Sequence, residues 1–267
     1  MRLDDNGGKF YMLICADIGN SSINIGYYTE TGLIVQRINT HPLQDDSCYC
    51  GVMSDFIAQN HIKKNNLSCI ISSVVITHTA VFIKALRRLA GPEINPVVVN
   101  SRMHTGLSFD NLAAPEEIGA DRIATAAGAY GICRGPVVVV DFGTATTITA
   151  VGRDGTLIGG AIMPGLRLMS AALGKKTSKL KEVPLDAPDS VLGRDTARSI
   201  CAGLFFGTAG AVDRIIAEIE EETGAKFGTV ITGGYSLMMK NYLKRHYDIR
   251  PFLIFEGLRI LYDENRP

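Results

Sequence analysis

The amino-acid sequence predicts an α/β fold built from two similar lobes. The chain has 267 residues, 46% of them hydrophobic, which is more than a minimal single core needs. Short apolar segments typical of strands alternate with segments of helical periodicity, a pattern that favours sheets covered by helices. A hairpin signal beginning with Asp-x-Gly also occurs twice, at Asp17 and, 124 residues later, at Asp141.

This repeat extends beyond the two turns. At the same offset of 124 residues, Gly19 matches Gly143, and Leu33 matches Leu157. A shared turn followed by a matched second strand indicates two equivalent halves. Two such halves facing each other are expected to form a cleft for a ligand.

The first predicted lobe spans residues 12–115. Strands are predicted at residues 12–16, 23–28, 33–38, 69–76 and 96–100, and a helix at residues 80–90. The second predicted lobe spans residues 116–267. A helix is predicted from Pro115 to about Cys133, because proline and acidic residues favour a helix start.

The remaining elements of the second lobe follow from the same signals. Strands are predicted at residues 136–141, 146–151, 157–162 and 229–231, a helix after Pro164, a loop at residues 174–188 and a long helix at residues 195–223. Asp195 or Thr196 is the expected cap of the long helix.

Composition argues against several classes of function. Lys plus Arg equals Asp plus Glu, so the chain has no electrostatic reason to bind nucleic acid or an anionic membrane. We expect no membrane segment, because no apolar run reaches the roughly 18 residues that a membrane helix needs. The N-terminal residues lack the apolar centre of a signal peptide. The six cysteines are scattered, which predicts reduced thiols in a cytoplasmic protein. The five histidines are isolated in sequence and are expected to be ordinary surface or core residues.

Both Asp-x-Gly turns suit a phosphate. Glycine permits close backbone approach, and the following N–H groups and hydroxyls can point at anionic oxygens. The polar residues that follow are Asn20, Ser21, Ser22 and Asn24 in the first turn, and Thr144, Thr146 and Thr147 in the second. Asp17 and Asp141 would hold the cations that neutralise the phosphates. Asp and Gly also suit an ordinary hairpin, but two such turns at equivalent places favour phosphate binding.

These turns resemble the phosphate motifs of the actin-like ATPase superfamily, and the chain resembles type III pantothenate kinases in particular. Residues 119–122, Gly-Ala-Asp-Arg, are similar to that family's pantothenate motif, and residues 159–165 to its glycine-proline turn. Further similar segments are residues 177–180, 193–196, 232–234 and 255–258. The resemblance runs in order from about Met12 to the end, and it implies two ribonuclease-H-like lobes with an ATP cleft between them.

The chain departs from the family pattern at a few positions. Ser21 stands where the family usually has threonine, which keeps the hydroxyl, and Ile76 replaces the proline of a Ser-Val-Val-Pro segment. Phe109 replaces the tyrosine of a Tyr-Asp-Asn-Pro segment, and a short insertion precedes Pro115. A substrate contact from that tyrosine is therefore not carried over. Residues 1–11 precede the family's usual start.

The resemblance implies a role for particular residues. Asp121 resembles the catalytic base, and Asp141 resembles a ligand of an activating monovalent cation, potassium or ammonium. The residues that resemble the pantothenate-binding set are Gly119, Ala120, Asp121, Arg122 and Thr196. Those that resemble the ATP-contacting set are Asp17, Ile18, Gly19, Asn20, Ser21, Ser22, Ile23, Asn24 and Thr144. It further implies Mg²⁺ with ATP and a homodimer.

The chemistry of Asp121 and Arg122 fits these roles but also permits plainer ones. An aspartate near a helix start is favourable for its charge alone, and an arginine beside it commonly forms a surface ion pair. A guanidinium can also hold a carboxylate in two-point geometry. Pantothenate offers a carboxylate to bind and a primary hydroxyl to phosphorylate, so one acidic and one basic residue suit it.

Two other segments have both a plain and a functional interpretation. Lys175, Lys176, Lys179 and Lys181 are better explained as a solvated stretch than as a phosphate site. The small and apolar residues 202–206 in the long helix suit either a core or a subunit interface.

The expected activity is ATP-dependent phosphorylation of pantothenate. Another small-molecule kinase of the same fold is an alternative, because a fold does not fix a substrate. A transcriptional accessory or regulatory protein of the same fold is the alternative from a different class. The presence of Asp17, Asp121 and Asp141 together favours an enzyme, because a regulator need not keep all three.

Overall fold

The computed structural model describes residues 12–63, 67–176, 180 and 182–266. Its strands are β1 (Leu13–Ile18), β2 (Ser22–Thr29), β3 (Gly32–Asn39), β4 (Ser68–Ser73), β5 (Val97–Val98), β6 (Val137–Phe142), β7 (Ala145–Val151), β8 (Leu157–Pro164), β9 (Gly228–Thr232) and β10 (Asp248–Ile249). Its α-helices are α1 (Asp46–Gln59), α2 (Ile76–Ala90), α3 (Ala120–Cys133), α4 (Leu166–Lys176), α5 (Thr196–Thr223), α6 (Ser236–Met239) and α7 (Leu253–Glu264).

The chain divides into two compact units. The first contains residues up to Thr105 together with Ala114–Gly128 and the segment from Ile254 onwards, and the second contains Gly106–Ala113 and Ala129–Leu253. This division differs from the expected boundary at residues 115 and 116. The start of α3 and most of α7 belong with the first sheet because they cover one of its faces.

The first unit is a five-stranded sheet in the order β3-β2-β1-β4-β5. Strands β1, β2 and β3 are antiparallel neighbours, whereas β4 and β5 run parallel to β1. One face carries Ile14, Ala16 and Ile18, which pack with residues of α1 and α2. Strand alternation turns Leu13, Cys15 and Asp17 to the other face.

Helix α7 covers this other face of the first sheet. A Cβ on Gly26 of β2 would lie 2.7 Å from the ring of Phe255, so glycine allows the helix to approach closely. The Arg259 guanidinium stacks over Tyr28, 5.3 Å from the ring centre. A Cβ on Gly257 would lie 1.8 Å from the Ala124 carbonyl, so α7 also crosses α3 at backbone contact.

The second unit repeats the plan with the order β10-β9-β6-β7-β8. Strand β6 lies at the centre, antiparallel to β7 and parallel to β9, as β1 lies between β2 and β4. Val138, Val140 and Phe142 face a core that includes Phe205 and Val212 of α5. The two sheets therefore confirm the two similar halves that the repeat predicted.

Helix α5 is the one helix among the described residues that is long and apolar enough to cross a membrane by length and composition. We expected that no apolar segment would reach the length of a membrane helix. That expectation is wrong for α5, which has 28 residues. Half of its most apolar window is buried inside the protein, and Leu204, Phe205 and Val212 belong to the core of the second unit. We interpret α5 as the core helix of that unit.

Several predicted elements have different bounds in the structure. Residues 115–117 form one turn of 3-10 helix, and the α-helix begins at Ala120 because Ile118 is extended. The strand predicted to end at residue 76 ends at Ser73, and the helix predicted from residue 80 already begins at Ile76. The strand predicted at residues 96–100 is only two residues long. Helix α4 continues to Lys176, so residues 174–176 are helical; Lys179 and Lys181 lie outside the described residues.

Candidate active site

The first phosphate-binding candidate is the hairpin loop between β1 and β2. The Gly19 N–H donates to the Ser22 carbonyl at 3.0 Å, which closes the turn. Asn20 and Ser21 are exposed at its tip. The loop thus presents the polar residues that the sequence predicted, in a closed and ordered turn.

Asp17 is the penultimate residue of β1 and lies on the face away from α1 and α2, between polar partners on both neighbouring strands. It lies opposite Asn24 on β2 and Ser72 on β4. The Asn24 side chain donates to its Oδ2 at 3.3 Å, and the Ser72 hydroxyl to its Oδ1 at 3.4 Å. The carboxylate is held in place by hydrogen bonds to both of its oxygens.

Asp17 and Asp121 form a pair of interacting carboxyls within the first unit. Burial raises the pKa of Asp17 to about 7, and the nearby Asp121 charge adds to the increase, against the hydrogen bonds from Asn24 and Ser72. The structure therefore joins the first phosphate loop to the segment that resembles the pantothenate motif. A site that places two carboxyls together with a raised pKa is typical of catalysis or cation binding.

The segment around Asp121 is shaped by Gly119 and the start of α3. A Cβ on Gly119 would lie 2.4 Å from Asp121 Oδ1, so a larger residue here would displace the Asp121 carboxylate from its position. Asp121 Oδ1 accepts from the Arg122 N–H at 2.8 Å. Asp121 lies in the first turn of α3, not one and a half turns in as the helix start at Pro115 implied. Its carboxylate is thus closer to the positive helix terminus than the sequence suggested.

Arg122 is partly buried beside Asp121. Burial lowers the pKa of its guanidinium, and the Asp121 carboxylate opposes that decrease. A guanidinium remains charged in a protein, so this side chain brings a fixed positive charge next to Asp121. Such a charge is suited to a carboxylate ligand.

The second phosphate-binding candidate is the loop between β6 and β7. The Gly143 N–H donates to the Ala145 carbonyl at 3.0 Å, and the Gly165 N–H donates to the Thr144 carbonyl at 3.0 Å. Thr144 is exposed, as its expected phosphate role requires. Thr146 is not available, because it is 1% exposed and lies on the core face of β7 with Ile148.

Asp141 is the penultimate residue of β6, and its carboxylate lies close to two glycines. It lies opposite Thr147 on β7 and Thr232 on β9. A Cβ on Gly233 would be 2.2 Å from Asp141 Oδ1, and one on Gly143 would be 3.3 Å away. Gly233 also has φ +89, which favours glycine. Because Gly143 and Gly233 have no side chains, the Asp141 carboxylate can occupy the space beside them.

Thr196, the remaining predicted substrate residue, is the first residue of α5 in the second unit. It is exposed, and Asp195 caps the helix by accepting from the Arg198 N–H at 2.8 Å. Of the two caps that the sequence allowed, Asp195 is therefore the one observed. A Cβ on Gly193 would lie 2.2 Å from the Ser199 nitrogen, so the preceding loop folds tightly onto this helix start.

The donor atoms suit hard cations. The Ser72 hydroxyl contacts Asp17, and Asp141 lies opposite two threonines in the sheet, Thr147 and Thr232. Carboxylate and hydroxyl oxygens are hard ligands of the kind that Mg²⁺ prefers. Within the described ranges, no cluster of three or more His, Cys, Asp or Glu side chains is placed to hold a metal ion. This arrangement fits a magnesium ion that is held by one or two carboxylates and by phosphate oxygens of a nucleotide.

Sequence reasoning missed three residues that shape the first loop. Ser72 lies on β4 and Thr40 follows β3, so strand pairing and not a local motif brings them to Asp17 and Gly19. His78 lies on α2, where it was expected to be an ordinary surface or core histidine. Its strong burial, at 3% exposure, shows only in the structure.

Solved structures show the class to which this architecture belongs. The chain resembles a Campylobacter jejuni protein described as a Baf family transcriptional activator, with a TM-score of 0.56, 22% identity and coverage of 94% of this chain and 98% of that one. It also resembles the ethanolamine utilization protein EutJ of Carboxydothermus hydrogenoformans, with a TM-score of 0.53, 16% identity and coverage of 96% and 92%. Two equivalent sheets, each with a phosphate-type hairpin after a central aspartate, define a protein of the actin-like ATPase fold.

Sequence relatives identify the family within that class. The type III pantothenate kinase family model matches residues 13–218. A type III pantothenate kinase of Roseiflexus sp. (strain RS-1) is 36% identical over 259 residues, which cover 96% of this chain and 100% of the relative. The corresponding protein of Citrifermentans bemidjiense has the same identity and coverage. The chain belongs to the type III pantothenate kinase family.

Proposed function

We propose that this protein transfers the γ-phosphoryl group of ATP to the primary hydroxyl of pantothenate. The products are 4′-phosphopantothenate and ADP, and the reaction is the first step towards coenzyme A. The observation that carries the proposal is the pair of Asp17 and Asp121, which joins a phosphate-type loop to the Gly119–Arg122 segment in one unit. Membership of the family supports the same reaction.

In this proposal Asp121 is the general base. Its carboxylate accepts the proton of the substrate hydroxyl while that oxygen forms a bond to the γ-phosphorus and the bond from phosphorus to the β-phosphate oxygen breaks. Gly119 leaves the space that the Asp121 carboxylate needs. Arg122 binds the pantothenate carboxylate, and Ala120 and Thr196 complete the substrate set.

ATP is bound by the loop residues of both hairpins in this proposal. Residues 17–24 and Thr144 contact the nucleotide, with the exposed N–H and hydroxyl groups of Asn20, Ser21 and Thr144 directed to its phosphates. Asp17 would hold Mg²⁺, which supplies positive charge to the phosphate oxygens. Asp141 would hold an activating monovalent cation, K⁺ or NH₄⁺, whose charge serves the same phosphates.

We further propose a cytoplasmic homodimer that binds neither nucleic acid nor a membrane. The face of α5 that carries Gly203, Gly207 and Gly210 is exposed, and these residues would let a second helix approach closely. Ile162 and Leu168 in the same unit are 65% and 51% exposed. All six cysteines are free, as a reducing compartment would keep them.

The reaction is tested by product analysis. Purified protein is incubated with ATP, Mg²⁺ and K⁺, with and without pantothenate, and the products are identified by mass spectrometry. We expect ADP and 4′-phosphopantothenate to form in equal amounts, and only with pantothenate. Equal ADP release without pantothenate, or release that depends on sugars instead, contradicts the substrate assignment. A complete lack of turnover favours the regulatory alternative.

A further inference from the structure

A chain of buried hydrogen bonds connects α2 to the first phosphate loop. His78 of α2 is 3% exposed and Thr40, just after β3, is 0% exposed. His78 Nε2 lies 2.8 Å from the Thr40 carbonyl oxygen. Because a carbonyl only accepts, Nε2 must carry the hydrogen and donate it. His78 Nδ1 lies 3.3 Å from the Thr77 hydroxyl.

Thr40 connects to the loop through two further hydrogen bonds of its own. Its hydroxyl donates to the Gly19 carbonyl at 2.6 Å, and its N–H donates to the Ser21 carbonyl at 3.3 Å. One buried residue therefore holds two loop carbonyls while its own carbonyl is held by His78. Each polar group of Thr40 has a partner, so the bonds fix the position of the residue as a whole.

The direction of these bonds matters for a phosphate. In a trans peptide the C=O and the next N–H point in opposite directions. Holding the Gly19 carbonyl against Thr40 therefore aims the Asn20 N–H away from Thr40, towards the exposed tip of the loop. Such an N–H is the kind of group that binds an anionic oxygen.

We propose that His78 is a positioning residue for ATP, acting through Thr40 to hold the Gly19–Ser21 loop in its phosphate-binding conformation. This inference rests on the proposed role of that loop in ATP binding. His78 has no direct contact with the nucleotide in this proposal. Its removal should therefore weaken ATP binding through disorder of the loop and should leave pantothenate binding unchanged.

The test uses two amides that differ only in reach. In His78→Gln the amide nitrogen is as many bonds from Cβ as the imidazole Nε2, so it can donate to the Thr40 carbonyl. In His78→Asn the amide nitrogen reaches only the position of the imidazole Nδ1, so it cannot donate to the Thr40 carbonyl. Phe82→Leu is the control, because Phe82 lies on the same helix, is 0% exposed and packs on Tyr49, 6.1 Å between ring centres, but its side chain has no hydrogen-bonding group.

The measurements are the Kd of ATP by calorimetry, the KM of each substrate and the thermal melt. We expect His78→Asn to raise the Kd and KM of ATP about 10-fold, the usual effect of one lost buried hydrogen bond, with the KM of pantothenate unchanged. His78→Gln should restore ATP binding to within about threefold of the wild type. Phe82→Leu should lower the melting temperature and leave the KM of ATP unchanged.

Several outcomes overturn the inference. Equal ATP affinity of the Asn and Gln variants excludes the donor role, and an equal loss in Phe82→Leu shows a general effect of core damage. If His78→Asn does not fold, Thr40→Val and Thr40→Ser test the same connection, with loss of ATP affinity expected only for valine. If the wild type binds ATP but phosphorylates no pantothenate, the proposed function fails, while the difference in ATP affinity still decides the role of His78.

Discussion

The two phosphate-type loops occupy equivalent places in sheets of the same strand order, but they are built differently. The first turn closes between Gly19 and Ser22, whereas the second closes between Gly143 and Ala145 and is one residue shorter. Consequently Asp17 lies opposite Asn24, which donates to it, and Asp141 lies opposite Thr147. Equivalent positions in the fold thus receive different chemical partners.

The support behind each loop also differs. The first loop is held by side chains, with the Thr40 hydroxyl on the Gly19 carbonyl. The second is held by backbone contact, since a Cβ on Gly165 would lie 2.4 Å from the carbonyl oxygens of both Gly143 and Thr144. The conformation of the first loop can therefore be changed by replacing the Thr40 side chain. The conformation of the second loop requires that residue 165 has no side chain. The proposed general base, Asp121, lies near Asp17, so the proposal assigns the chemistry to the first unit.

The largest expected effect tests the assignment of Asp121 as the general base. Asp121→Asn keeps the size of the side chain but cannot accept the substrate proton, so kcat should fall about 10²–10⁴-fold. A loose phosphoryl transition state needs little help from a base, which favours the lower end. Steady-state kinetics on protein with an unchanged thermal melt measures the effect.

Arg122→Ala is the matched comparison for Asp121→Asn. It removes the adjacent charge proposed to bind the substrate carboxylate, so it should raise the KM of pantothenate more than it lowers kcat. A folded Asp121→Asn variant with nearly wild-type kcat would show that Asp121 only stabilises the helix start and that the base lies elsewhere.

The second effect tests the backbone support of the second loop. In Gly165→Ala the new methyl group collides with the Gly143 and Thr144 carbonyls, so the loop must move. A displacement of about 1 Å can cost roughly 100-fold, and we expect kcat/KM for ATP to fall by about that factor. Gly228→Ala is the control, because its Cβ would meet only the Pro136 carbonyl at 3.7 Å, an ordinary contact. Equal kinetics for the two variants would show that the second loop has no part in ATP binding.

A smaller effect concerns the cation proposed at Asp141. The rate should be several-fold higher in potassium or ammonium than in sodium at equal ionic strength, measured with saturating substrates. Gly233→Ala should reduce this preference, because its Cβ would displace the Asp141 carboxylate. Gly234→Ala should not, because its Cβ would meet nothing within 4 Å. Equal rates in all three salts count against a specific site.

The smallest effect is on stability and concerns Asp17. Its pKa of about 7 in the folded protein lies above the ordinary value of 3.8, so the folded state keeps a proton that the unfolded chain has lost. Unfolding free energy should therefore decrease as the pH rises from about 4 to 7 and change no further through this group above that. The Asp17→Asn variant should lack this pH dependence of the unfolding free energy, because asparagine does not titrate.

Denaturant titrations without divalent cations measure this change. Between pH 5 and pH 8 the wild type should lose about 3 kcal/mol of unfolding free energy relative to Asp17→Asn, since two pKa units lie between pH 5 and the pKa of about 7 and each corresponds to about 1.4 kcal/mol. Ser22→Ala serves as a control on the same loop and should follow the wild type. Parallel curves for the wild type and Asp17→Asn would show that the Asp17 pKa is ordinary.

The sequence was sufficient for the features that depend on local pattern. Apolar runs located the central strands β1 and β6, and Asp195 with the periodicity after it located α5. The repeat predicted two equivalent sheets because both hairpins carry the same turn signal. The helix start was misplaced at Pro115 because a proline followed by acidic residues also suits the 3-10 turn that the chain forms there.

The parts that the sequence could not show depend on pairing between distant segments. A fixed offset of 124 residues matches Gly19 to Gly143 but cannot reveal that the second turn is one residue shorter. Ser72 and Thr40 reach the first loop through strand pairing, and no signal near them in sequence indicates it. The glycine at 165 is visible in the sequence, but the two carbonyls that require it are not.

The position of α7 has a consequence for synthesis of the chain. Phe255 and Arg259 cover the face of the first sheet that carries Gly26 and Tyr28, and Gly257 packs closely against the backbone of Ala124. These residues leave the ribosome long after the strands that they cover. One apolar face of the first sheet therefore stays open until α7 has been synthesised. A truncation that removes α7 should yield an aggregating product and not a shortened enzyme.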